Sequence, residues 1–187
     1  INVDGARNTL GRTYIGDYTI KLNQDIDSDT LIMPTNVRTT RIDGNGNHVL
    51  TFASKTFSQK TNMEFDDVTV KSSLATSEYL DWNTSGKFLF IDGNVYINNL
   101  SGTSSSEVYF ERDSTITGNV STFNVFNVSD VAVEIKGNMS GISNLTYSGE
   151  SYVKFMPTST VSIKDIRING VPTSTLNIAL VTMGSKT

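Results

Sequence analysis

The chain has 187 residues, enough for one domain with a sizeable core, and a formal net charge of −4. It holds no cysteine and one histidine, so disulfides, thiolate chemistry and multi-histidine metal sites are excluded, and no basic footprint marks a nucleic-acid or anionic membrane partner. No apolar stretch approaches the roughly 20 residues that span a bilayer. Ser, Thr and Asn make up about a third of the residues, a composition that suits a polar-surfaced extracellular protein.

From the N-terminus, Ile1 to Asp17 reads as a lead-in segment. Its start at Ile1, without a charged apolar leader, suits a mature exported protein or an excised piece of one. Beyond it, apolar residues alternate in short runs broken by Gly, Asn, Asp and Ser. This is the period of strands and not of helices. Runs of this kind include Tyr18 to Leu22, Asn62 to Val70, Lys87 to Ile91, Glu107 to Phe110, Val131 to Ile135 and Ser162 to Ile168.

The second half repeats itself at 19 residues. Phe90, Tyr109, Val128, Tyr147 and Ile166 form one series, and Val95, Ser114, Val133, Tyr152 and Val171 a second. Ile97, Ile116 and Ile135 form a third, which continues at Phe155 after a one-residue shift. Asn99, Asn119 and Asn138 follow the third series as a turn signature. A repeat this short cannot be a propeller blade; it fits one coil of a parallel β-helix, with inward ladders of like side chains and turn ladders of Asn, Gly and Ser. The predicted fold is all-β, a single-stranded right-handed parallel β-helix with coils of about 19–25 residues. Coils are expected over 18–171, with 172–187 as a C-terminal segment. In the earlier half Met63 and Phe65 match Phe88 and Phe90 at a step of 25, which places an inserted loop within Ser73 to Gly86.

Three segments carry a resemblance. Asp17-Tyr18-Thr19-Ile20-Lys21-Leu22, then Asp25 to Pro34, then Arg41-Ile42-Asp43-Gly44-Asn45-Gly46-Asn47 resemble the start of the right-handed β-helix, pectate-lyase-like regions of bacterial cell-surface proteins. The resemblance implies surface exposure and contact with carbohydrate or host material. It does not choose among the superfamily's lyases, hydrolases, adhesins and stalks.

Candidate chemistry is sparse. Cleavage of a polysaccharide needs clustered carboxylates with a nearby base or cation. Asp66 and Asp67 are adjacent, and Asp92 stacks near them one coil on. The hydrolase elements Gly-His-Gly and Arg-x-Lys are replaced by Gly46-Asn47-His48 and Arg167-Ile168-Asn169, so the expectation is no enzyme. Asp25, Asp27 and Asp29 share one face of an extended segment as a weak calcium candidate, and no other cofactor is implied. Tyr79, Asp81, Trp82 and Asn83 on the inserted loop combine rings with polar groups as carbohydrate sites do. The alternative is that Trp82 folds down over the apolar flank. The Asn-x-Ser/Thr sequons at Asn83, Asn99, Asn119, Asn127, Asn138 and Asn144 read either as glycosylation sites or as products of the repeat. The expected protein is a non-catalytic extracellular module of a bacterial surface protein, a monomeric domain of a larger chain, acting as spacer or adhesin toward glycans or host molecules. The alternatives are a polysaccharide lyase or hydrolase using Asp66, Asp67 and Asp92, and a trimeric phage tailspike segment.

Overall fold

The computed structural model describes residues 17–28 and 39–169. Sixteen strands and no helix occupy them, and every strand pairing is parallel. The chain winds as a β-solenoid of about seven turns. The expected lead-in and C-terminal segments lie almost wholly outside the described residues.

Each coil visits three faces in the same order. On face A lie β1 (Asp17–Lys21), β3 (Thr39–Asp43), the start of β6 (Asn62–Ser72), β8 (Phe88–Val95), β10 (Glu107–Phe110) and the ends of β12 (Val120–Ser129), β14 (Met139–Ser148) and β16 (Val161–Asn169). Face B carries β2 (Ile26–Ser28), β4 (Val49–Phe52), the ends of β6 and β8, Ile97 at the head of the next strand, β11 (Ser114–Ile116), β13 (Ala132–Ile135) and β15 (Tyr152–Phe155). Face C carries β5 (Thr56–Gln59), β7 (Leu80–Thr84), β9 (Ile97–Ser101) and the starts of β12, β14 and β16.

Alternation decides which side chains enter. On face A the inward ladder is Ile42, Phe65, Ile91, Phe110, Val128 and Tyr147, all in register and nearly inaccessible. On face B, Ile97, Ile116, Ile135 and Phe155 stack as the sequence pattern requires, including the one-residue shift before Phe155.

Two expected ladders are corrected. The step from the Met63 coil is 26 residues: Met63 pairs Leu89 and Phe65 pairs Ile91, so Phe88 and Phe90 face outward. Phe90 and Tyr109 pair with one another on the outside, and Tyr109 then meets Asn127 and not Val128. Likewise Tyr152 pairs Ala132 outside, leaving Val153 to fill the interior. The cause is the two-residue side-chain period. The coils measure 22, 23, 26, 19, 18, 19 and 21 residues on face A, and each odd departure from 19 moves a whole series across the sheet.

Corners are closed by amides and small residues. The Asn99 Oδ1 accepts the Asn119 N–H at 2.8 Å, Asn119 Oδ1 accepts the Asn138 N–H at 2.8 Å, and Asn138 Oδ1 accepts the Thr160 N–H at 2.8 Å. The coils approach so closely beside this ladder that a Cβ on Gly137 would stand 2.3 Å from the Gly118 carbonyl oxygen. At another corner Gly149 adopts φ +63°, directly over Asp130, whose carboxylate accepts the Glu150 N–H at 3.0 Å.

Asn119→Ala removes the acceptor for the Asn138 N–H and is expected to cost about 1 kcal/mol in urea unfolding, while the exposed neighbour change Ser140→Ala stays near zero. The Tyr147 hydroxyl is buried without a hydrogen bond, and burial pushes its pKa up to about 12 from 10.0. The folded state therefore holds the neutral phenol after the unfolded chain has ionised. Stability is full below pH 10 and falls as pH rises toward about 12. Tyr147→Phe is expected to be no less stable at neutral pH and to flatten that alkaline decline, measured as the urea midpoint against pH.

Candidate functional site

The Ser73 to Gly86 insertion is not one loop. Ser72 ends β6, its N–H donating to the Glu78 carbonyl at 2.8 Å, and β7 begins at Leu80. Only Ser73 to Tyr79 projects. Trp82 therefore belongs to a strand, and alternation turns it inward, where it is 1% exposed. Its ring lies 4.4 Å from Phe57, its register partner, and edge-on to Phe65 at 5.2 Å. Its indole N–H donates to Gln59 Oε1 at 3.0 Å, and the Gln59 amide donates to the Thr61 carbonyl at 2.7 Å, so the buried polar groups are satisfied. Of the two readings of Trp82, burial holds and ligand binding does not, though the ring lies inside the solenoid and not over its flank.

Its polar neighbours have structural work too. Asp81 accepts the side-chain amides of Asn98 and Asn99 at 2.8 and 2.7 Å, anchoring the asparagine ladder. Asn83 accepts the Ser101 hydroxyl. The sequon amides at Asn127 and Asn144 also bond across coils, to Thr146 and to the Asn124 carbonyl. The recurrence of these sequons follows from their part in coil-to-coil bonding.

Tyr79 is the exception among the four. It sits at the foot of the projecting loop with its ring 5.1 Å from that of Tyr96. These two rings head a pair of adjoining depressions on the outside of face B, of about 180 and 260 Å³. Both include Asp113, Ser114 and Thr115, so they form one shallow trough. The floor is an outward ladder of Thr115, Glu134 and Lys154 in register, and Tyr96 precedes Ile97 as Thr115 precedes its partner Ile116. A second outward row runs through Asn94, Asp113 and Ala132 to Tyr152, which is 46% exposed at the far end. With strands about 4.8 Å apart, the trough runs about 14 Å along the solenoid axis, with aromatic rings at both ends and polar groups between. Its charges are engaged: Lys154 pairs Glu134 at 3.0 Å, and Asp113 accepts the Ala132 N–H at 2.8 Å. Sequence reasoning missed all of these residues but Tyr79. The signal was present as the 19-residue spacing of Tyr96, Thr115 and Glu134, which interleaves the inward isoleucine series.

The three aspartates singled out for catalysis are brought together on the outside of face A. Asp66 and Asp92 are register partners, and Asp67 occupies the bulge beside them at φ 47°. Each is held by an arginine that the sequence reading did not connect with the acids. Arg41 pairs Asp66, with Glu64 at 3.6 Å, and Arg112 spans Asp67 at 3.5 Å and Asp92 at 3.3 Å. Glu111 stands near this group, its carboxyl pushed up by partial desolvation and by the charges of Asp92, Glu64 and Asp66. Beside the acids, Phe90 and Tyr109 stack at 4.7 Å. The Tyr109 hydroxyl donates to Glu107 at 2.5 Å, and its pKa is raised to about 12 by burial and by that bond.

The calcium candidate is divided. Asp25 Oδ1 accepts the Val49 N–H at 2.9 Å and faces His48 Nδ1 at 3.3 Å, contacts that hold its carboxyl below the usual range. Asp27 is exposed, and Asp29 lies outside the described residues. Among the described residues no three His, Cys, Asp or Glu side chains group so as to hold a metal ion, and no helix is long and apolar enough to cross a membrane.

Comparison with protein-family models, with curated proteins and with solved structures gave no match.

Trp82→Ala is expected to destabilise the fold by about 3–5 kcal/mol, since it empties a core position and strands Gln59. Tyr79→Ala, at a half-buried surface ring, should cost far less. Chemical denaturation of both variants tests the assignment; equal costs would contradict it.

Proposed function

We propose that this chain is a non-catalytic β-helix module that binds glycan along the face B trough, serving as an adhesive spacer on a bacterial surface. The observation that carries the reading is the trough itself, with Tyr79 and Tyr96 at one end, Tyr152 at the other and hydroxyl, amide and carboxylate groups between them. Sugars pack their C–H faces on aromatic rings and bond their hydroxyls to such polar groups. Strands stacked across the trough give it a fixed shape, so little ordering cost falls on the protein when a ligand docks. The polar composition and the resemblance to pectate-lyase-like surface regions support the extracellular setting. Calcium is not required for this mode of binding.

A second reading has one observation in its favour. Asp66, Asp67 and Asp92 do converge, with two arginines and an aromatic pair beside them, as cleavage of a polysaccharide would want. Against it, each of the three carboxylates is tied to an arginine on an open sheet surface.

Glycan-array binding of the intact protein separates the readings. The expected result is a saturable signal lowered at least about tenfold by Tyr96→Ala, unaffected by Asp66→Asn, with no shortened products after prolonged incubation. Product formation abolished by Asp66→Asn would replace the binding reading with the enzymatic one.

A further inference from the structure

We infer that the face B trough selects a neutral linear polysaccharide and rejects polyuronates and other polyanionic glycans. This rests on the glycan-binding reading above and deepens it by naming the ligand class.

A polyuronate carries a carboxylate on every sugar, and a site that binds it must supply cations at matching intervals. Among the described residues lining the trough there is a single cation, Lys154, and it is committed to Glu134 at 3.0 Å. Lys71, which lies near enough to Tyr96 to feel its hydroxyl, is committed to Glu78 at 2.6 Å. The lining also contributes Asp113, so its balance is one negative charge, within a chain of net charge −4. A polyanion laid there would meet like charge and would have to break an existing ion pair to find a partner.

The same groups argue against a cationic polymer. Glu134 is already paired with Lys154, and the one net negative charge of the lining is too little to match a cation on every sugar of a polymer crossing four coils. What remains is suited to uncharged sugar. Thr115 offers a hydroxyl that makes no other side-chain bond, the Asn94 side-chain oxygen can accept while its amide donates to Asn47 at 3.4 Å, and Tyr79, Tyr96 and Tyr152 offer ring faces for C–H surfaces. The shape selects for a linear chain. The outward rows run along the solenoid axis at the strand spacing, so a polymer parallel to the axis meets a like position on each successive coil.

The test measures binding of the full chain to three immobilised polymers: a neutral β-glucan, a neutral galactomannan and polygalacturonate. The prediction is binding to at least one neutral polymer, changed less than about twofold between low salt and about 0.5 M salt, and lowered at least about tenfold by Tyr96→Ala. Binding to polygalacturonate is expected to be absent at both salt levels. Replacing the acids as Asp113→Asn with Glu134→Gln should create salt-sensitive polygalacturonate binding, because Lys154 is then released. Polygalacturonate binding by the unaltered chain that falls with Tyr96→Ala would overturn the inference while leaving the glycan-binding reading intact. Binding to none of the polymers, by protein with an unchanged unfolding midpoint, would overturn both.

Discussion

The structure depends on one constraint: every coil must hydrogen-bond in parallel to the coil before it, with side chains alternating in and out. Backbone N–H and C=O groups within a strand are satisfied only by the neighbouring coils, so coil length at the sheet faces is fixed by register and extra residues are expelled at corners. Seven extra residues after Ser72 become the projecting segment, while the five that follow rejoin face C as β7. The same constraint makes the outside as regular as the inside. Where the interior stacks Ile97, Ile116 and Ile135, the exterior stacks Thr115, Glu134 and Lys154. The candidate trough is a by-product of the periodicity that builds the core.

The division between faces A and B shows how this periodic surface separates functions. On face A the outward acids Glu64, Asp66, Asp67 and Asp92 share two arginines, Arg41 and Arg112, and the surface stays net negative. On face B they hold rings and uncharged polar groups, with its few charges locked to neighbours. Exposed ion pairs contribute little to stability individually. In the trough their consequence is to occupy Lys154 and Glu134 with one another, leaving aromatic and hydroxyl groups as the main means of contact there.

Much of this was legible in the sequence. The solenoid, the isoleucine ladder with its shift to Phe155, and the asparagine turns all follow from recurrence at one spacing. What misled was phase. A series of apolar residues at 19-residue intervals looks alike whether it lies inside or outside, and Phe90 with Tyr109 outside continues numerically into Val128 with Tyr147 inside. A single coil of 18 residues makes the switch, and spacing alone does not reveal it. Trp82 was misplaced for a related reason. Counting the insertion as one block hid the strand within it, whereas the alternation of Leu80, Trp82 and Thr84 marks that strand. The arginines facing Asp66, Asp67 and Asp92 come from β3 and from the corner after β10, one or two coils away, a proximity that follows only once register is known.

The stacking direction has a mechanical consequence. Asp17 lies in the first described coil and Asn169 in the last, so tension between them acts along the axis, perpendicular to every strand. Loaded this way, the hydrogen bonds between two coils are not sheared together; they open in succession, as a zipper does. Bending is resisted by all three faces at once, but pulling is resisted by one coil boundary at a time. The asparagine ladder from Asp81 to Thr160 adds side-chain bonds to the boundaries it crosses, as Asp25 with the Val49 N–H and Thr69 with Asn47 do in the earlier coils, so each boundary carries more than its backbone bonds when it opens.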